Sequence, residues 1–132
     1  MDKKIIFGLI ALVIAVIIIV LLIVMTKQNP NPGKIILKDG ITLDNGTCSK
    51  LSKVAVIHTT GCSACAVAIP RLQELEQELN MSFSYYDLAV ENNRQEILDM
   101  NLIPQAVPTV IINCKVYVGV RSKDDYKTAI EG

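Results

Sequence analysis

The run from Ile5 to Met25, IIFGLIALVIAVIIIVLLIVM, is 21 residues long and carries no charged or polar side chain. As a helix rising about 1.5 Å per residue it spans about 31 Å, one hydrocarbon core of a bilayer. Its many β-branched residues would favour strand in water, but in lipid only a helix satisfies its own backbone groups. A cleaved signal peptide is the alternative. The length of the run and the exit VMTKQNP, which has no small-residue cleavage pattern, favour an uncleaved anchor over residues 1–26. TKQNPNPG then reads as a spacer, because its two Asn-Pro steps disfavour helix.

Beyond the spacer the apolar runs shorten and alternate in type. KIILKDG reads as a short first strand or an extended lead-in, and ITLDNGTCSKLSK as turn-rich, with Asn45-Gly46 as a turn signal. VAVIHT, Val54 to Thr59, is a continuous apolar run that fits a buried central strand. SACAVAIPRLQELEQELN follows, with Val67 and then Leu72, Leu75 and Leu79 at helical spacing; Pro70 lies inside and should kink that helix. MSFSYYDLAV is a strand with Phe83 and Tyr85 on one face, and ENNRQEILDMNL a short helix carrying Ile97 and Leu98. In IPQAVP two prolines argue against regular structure. TVIIN and KVYVGV, separated only by NCK, predict an antiparallel hairpin. SKDDYKTAIEG closes as a helix with Ser122 as N-cap and Tyr126 and Ile130 on one face.

The order strand, helix, strand, helix, strand, strand, helix implies a parallel pair with a right-handed crossover and an antiparallel edge. The expected architecture is α/β: a mixed four- to five-stranded sheet flanked by helices, preceded by one transmembrane helix. The expected divisions are the anchor, 1–26; a linker and lead-in, 27–52; and the sheet-and-helix domain, 53–132.

Charge adds little. Thirteen basic and thirteen acidic side chains cancel, which excludes the basic surplus of a nucleic-acid binder. No second soluble element points to dimerisation, so a monomer is expected. Lys3 and Lys4 flank one end of the apolar run, while Lys27, Lys34 and Lys38 follow the other. The tight basic flank at the amino terminus favours that end inside.

The candidate chemistry lies in HTTGCSACAVAIP, His58 to Pro70, where Cys62 and Cys65 stand three apart. A zinc site wants four ligands, typically from two close pairs, whereas here there is one pair and one histidine. His58 reads as a strand residue that finds a hydrogen bond. A structural staple is the second alternative, but so short a loop restrains the unfolded chain little. Two buried free thiols are the third, and they fit poorly at a strand-to-helix corner behind Gly61. Dithiol-disulfide exchange suits the spacing best. Cys62 at the helix start would meet unpaired amide donors and the positive end of the helix dipole, both of which stabilise an attacking thiolate. Cys65, one turn on, would reach and resolve a mixed disulfide formed at Cys62.

Several of these residues together resemble the thioredoxin-like superfamily. CSAC matches its Cys-x-x-Cys, Pro70 its kinking helix proline, and AVPT its cis-proline loop. VPTVIINCKVYVG is similar to the corresponding glutaredoxin stretch, and SKDDY to the start of the last glutaredoxin helix. The resemblance covers about residues 53 to 130. It implies that Cys62 and Cys65 are catalytic, that Pro108 is a cis-proline, and that Val107 faces the incoming substrate. Gly61 replaces the tryptophan of thioredoxins and so opens the approach to Cys62. Val56 stands where cytoplasmic thioredoxins bury an acid. Gly119-Val120 and Cys114 replace glycines of the glutaredoxin pattern, which counts against glutathione, so no cofactor beyond the disulfide is expected.

The same resemblance places Cys48 and Cys114 at one pole of the fold and implies a structural Cys48–Cys114 disulfide. A persistent staple belongs to an oxidising compartment. The expectation is therefore a single-pass, membrane-anchored thiol-disulfide oxidoreductase with its domain on the extracytoplasmic face. Its partners would be cysteine-containing proteins, the bilayer through residues 5–25, and a membrane redox protein that resets the pair. A cytoplasm-facing glutaredoxin-like reductase, a non-catalytic binding or assembly module, and a metallochaperone are the alternatives.

Overall fold

The structure, a computed structural model, describes residues 2–26 and 33–132. Residues 27–32 of the spacer, with its Asn-Pro steps and Lys27, lie outside the described residues. The chain divides into two compact units, Met1–Pro32 and Gly33–Gly132.

The first unit is a single helix, α1, Lys3–Thr26. It is long and apolar enough to cross a membrane. Its apolar side chains from Ile5 to Met25 are exposed, with no protein core of their own to enter.

The second unit comprises β1 (Ile35–Leu37), α2 (Asn45–Cys48), β2 (Val54–His58), α3 (Ser63–Glu78), β3 (Ser84–Asp87), α4 (Glu91–Asp99), β4 (Leu102–Pro104), β5 (Thr109–Ile112), β6 (Lys115–Val118) and α5 (Lys123–Glu131). Four strands form one sheet in the order β3-β2-β5-β6. β2 pairs parallel with β3 and antiparallel with β5, and β5 pairs antiparallel with β6. This mixed sheet, flanked by helices and preceded by one apolar helix, is the expected architecture, and it has the topology of a thioredoxin-like fold.

β2 explains the layering. Alternate residues of a strand point to opposite faces, and here both faces are covered. Ala55 and Ile57 enter a core with Leu37, Leu43, Tyr86, Ile97, Leu102 and Val116. Val54 and Val56 enter the other, with Leu72 and Leu75 of α3, Phe83, Val110, and Tyr126 and Ile130 of α5. The unbroken apolar sequence of β2 is therefore the mark of a strand buried on both sides. α3 runs through Pro70 without interruption. Its C-terminus is tied to the strand it feeds: the Phe83 amide and the Tyr85 hydroxyl both donate to the Glu76 carboxylate, at 2.6 and 2.9 Å.

Three segments differ from the sequence expectation. Residues 33–52, grouped above with the linker, belong to the same compact unit as the sheet, because Leu37 and Leu43 are buried in its core. Within them, the Asp44 side chain accepts from the Thr47 amide and caps one helical turn, α2, where only turns were expected. Leu102–Pro104, which joins the end of ENNRQEILDMNL to the start of IPQAVP, forms β4, which pairs parallel with β1. Pro104 is tolerated because it ends a strand in a two-stranded sheet, where a missing N–H costs little. Of the two apolar residues in α4, Ile97 is buried but Leu98 is exposed.

The lead-in also covers β6. Gly40 and Leu43 amides donate to the Val116 and Cys114 carbonyls, and the Val116 amide donates to Ile41. The Val118 amide and the Arg121 guanidinium both reach Asp39, at 2.9 and 2.7 Å. An edge that would otherwise offer unpaired backbone groups is thereby occupied. Cys48 and Cys114 are disulfide-bonded across the same seam, with Cα atoms 5.4 Å apart and a sequence separation of 66.

Asn113 and Cys114 make the β5–β6 turn with positive φ, +50° and +70°. Asparagine tolerates that region, but cysteine does not favour it. In a Cys48→Ala background, Cys114→Gly is therefore expected to be more stable than Cys114→Ala by about 1 kcal/mol. Urea unfolding of the two variants measures the difference, and equal midpoints would contradict it.

Candidate active site

β2 ends at His58, and the chain then turns through Thr59, Thr60 and Gly61 into α3. Gly61 is exposed with φ +81°, a conformation that glycine adopts without strain. A Cβ added there would meet nothing within 4 Å, so backbone conformation, and not crowding, favours glycine.

Cys62 is the N-cap of α3. The Cys65 amide donates to its Sγ at 3.1 Å, so the sulfur occupies the place of a capping oxygen. Cys62 and Cys65 are disulfide-bonded, with Cα atoms 5.2 Å apart. The two sulfurs differ in access: Cys62 is half-buried, whereas Cys65 is 2% exposed.

The β2–β5 register sets the opposite wall. Ile57 pairs with Thr109, which brings the residues just before Thr109 beside those just after Ile57. The Val107–Pro108 bond is cis, and the Val107 carbonyl oxygen lies 3.7 Å from Cys62 Sγ. The loop is held from two sides. The buried Thr109 hydroxyl donates to the Ala106 carbonyl at 2.7 Å, and the Gly119 amide donates to the Pro108 carbonyl at 2.8 Å. Gly61, Cys62, Cys65, Val107 and Pro108 thus meet at one end of the sheet. Cys48 and Cys114 lie beyond the other end of β5 and take no part in this cluster.

Two residues in this region were not foreseen. The Thr60 hydroxyl donates to Asp87 Oδ2 at 2.9 Å, and the Ala89 amide donates to Oδ1 at 2.9 Å. The Ala89 amide first, and then the Thr60 hydroxyl, hold the Asp87 carboxyl below its ordinary value. The sign follows: this contact is present above the usual carboxylate range and is lost only as pH falls through the lowered value. Twenty-seven residues separate the partners, and nothing local in the sequence marks them as a pair. His58, paired with Asp87 across the β2–β3 ladder, meets the Tyr85 ring edge-on at 6.3 Å. Its carbonyl accepts from the Leu88 amide at 2.8 Å, a hydrogen bond of the kind expected of a strand residue.

Among the described residues no group of three or more His, Cys, Asp or Glu side chains is placed to hold a metal ion.

No protein-family model matches the chain, and no curated protein matches it. Among solved structures it is similar to a mutant of the thioredoxin-like protein BC3987, with 19% identity and a TM-score of 0.43, over 61% of this chain and 97% of that one. That likeness assigns no residue a role. The chain combines a thioredoxin-like sheet topology with a Cys-x-x-Cys disulfide, an arrangement consistent with redox chemistry.

The unequal access of the sulfurs has a direct consequence. After full reduction, a small alkylating reagent at neutral pH is expected to modify Cys62 about tenfold faster than Cys65. Peptide mass mapping against time measures both rates; equal rates would contradict the geometry.

Proposed function

We propose that the protein is a membrane-anchored thiol-disulfide oxidoreductase acting on cysteine-containing proteins outside the cytoplasm. The observation that carries this reading is the asymmetric disulfide: a reachable Cys62 at a helix N-terminus, bonded to a buried Cys65. In the oxidised protein a substrate thiolate attacks Cys62 Sγ. The Cys62–Cys65 bond breaks, and Cys65 leaves as a thiolate and takes up a proton. A second substrate thiolate then attacks the substrate sulfur of the mixed disulfide, and Cys62 leaves. The substrate has lost two electrons and the Cys62–Cys65 pair has gained them.

The reverse sequence reduces a substrate disulfide. Cys62 thiolate opens it, and Cys65 thiolate attacks Cys62 Sγ to release the second substrate thiol. In both directions Cys62 is the point of contact and Cys65 the internal partner. The amide of Cys65 and the start of α3 favour negative charge on Cys62. The Val107 backbone beside Cys62 offers its polar groups to an extended substrate segment. Val107 and Pro108 are the substrate-facing residues in this reading, and Gly61 leaves the approach open.

The outer disulfide supports an oxidising compartment. The apolar α1 supports attachment to the bilayer, which would confine the domain beside a membrane redox partner and raise the local concentration. That partner returns the pair to its working state by taking up or supplying two electrons.

Replacing each cysteine tests the assignment. Cys62→Ala is expected to reduce turnover of a disulfide-linked peptide to the uncatalysed background. Cys65→Ala is expected to lose turnover and to accumulate mixed disulfides through Cys62, visible on non-reducing gels. Full turnover in Cys62→Ala would overturn the reading.

A further inference from the structure

We infer that Thr60 and Asp87 form a latch that positions Cys62, so that both are positioning residues for exchange at that sulfur. The inference rests on the reading of Cys62 as the exchanging cysteine. Its physical basis is separate and lies in the segment that carries Cys62.

Cys62 itself is tied to α3 by its disulfide and by the Cys65 and Ala66 amides, but the residues that lead to it are not. Between the end of β2 at His58 and the start of α3 at Ser63 the chain turns at Gly61, whose φ of +81° leaves the backbone with the wide freedom of glycine. Thr60 and Gly61 are exposed, so packing does not fix them. The Asp87 carboxylate does. Its Oδ2 receives the Thr60 hydroxyl at 2.9 Å, and the Thr60 amide also faces it. Its Oδ1 receives the Ala89 amide, which fixes the carboxylate to the β3–α4 turn. The Leu88 amide donates to the His58 carbonyl at 2.8 Å and fastens that turn to the end of β2. The carboxylate is thus anchored on one side before it receives Thr60 on the other.

Cys62 stands two residues beyond Thr60, between two requirements. Its sulfur must lie under the Cys65 amide, now 3.1 Å away, and beside the Val107 carbonyl, now 3.7 Å away. A hydrogen bond weakens steeply once its geometry is lost. Loosening the segment would therefore weaken the capping contact on Cys62 Sγ. In the reduced protein that contact favours the thiolate. Its loss would slow attack by Cys62 and disfavour the reduced pair.

The test uses the full chain in detergent micelles, reduced, and measures two quantities. The first is the rate of iodoacetamide modification at Cys62 at neutral pH; the second is the Cys62–Cys65 potential against a glutathione buffer. Asp87→Ala removes all contacts to Thr60, and Thr60→Val removes the hydroxyl alone. Thr60→Ser restores the hydroxyl. We expect Asp87→Ala to slow Cys62 alkylation by about three- to tenfold, the equivalent of one hydrogen bond. The potential should move toward the reducing side, by about 30 mV for a tenfold change in the exchange equilibrium. Thr60→Val should show a smaller change of the same sign, and Thr60→Ser should match the parent.

An unchanged rate and potential in Thr60→Val overturn the latch, even where Asp87→Ala fails to fold. The latch is equally overturned where Thr60→Ser behaves as Thr60→Val. Alkylation needs no turnover, so the two claims fail separately. A parent protein without exchange activity but with latch-dependent alkylation would sink the proposed function and leave the latch standing.

Discussion

Ile57 pairs with Thr109 across the ladder between β2 and β5, and the location of the chemistry follows from that register. β2 delivers Cys62 one short turn after its last residue, and β5 begins immediately after Pro108. Because the strands are antiparallel, the end of one lies beside the start of the other. Sliding the register by one residue would turn Val54 and Val56 toward the wrong core and move the Val107 carbonyl away from Cys62. The two apolar layers that stabilise the sheet therefore also hold the two halves of the site together. Burial of β2 on both faces is the physical origin of this register.

The two disulfides lie toward opposite ends of β5. One end carries the cis Val107–Pro108 bond and the exposed approach to Cys62. The other carries the tight turn at Asn113 and Cys114, the disulfide to Cys48, and an Asn113 side-chain amide that donates to the Ala129 and Ile130 carbonyls at the end of α5. The lead-in completes that far end by hydrogen-bonding along β6. In the proposed reading the disulfide at one pole opens and closes while a second disulfide, with its long loop, restrains the unfolded chain.

Much of this was legible in the sequence where local signals agree. VAVIHT fits a buried central strand; Leu72 and Leu75 mark the inner face of α3; Ser122 caps α5 at the expected place, accepting from the Asp125 amide. What was not legible depends on contacts distant in sequence. Pro104 argues against a strand until β1 is seen to supply a parallel partner. Asp44 makes a helical turn from a segment whose Asn45-Gly46 signals only a turn. Leu37 and Leu43 look like part of a linker until the core they complete is present. At the site, the sulfur pair and the 107–108 loop were visible because short motifs mark them. Thr60 and Asp87 were not, because a threonine and an aspartate 27 residues apart carry no shared pattern.

The central claim is that the two disulfides do different work: Cys62–Cys65 exchanges and Cys48–Cys114 holds. Equilibrating the full chain across a graded series of thiol buffers, followed by trapping and mass mapping of all four cysteines, tests this most directly. The account predicts that Cys62–Cys65 titrates alone, within the range of about −270 to −120 mV spanned by exchange centres, while Cys48–Cys114 stays closed to potentials below about −300 mV. Opening of Cys48–Cys114 first, or of both pairs together, would contradict it.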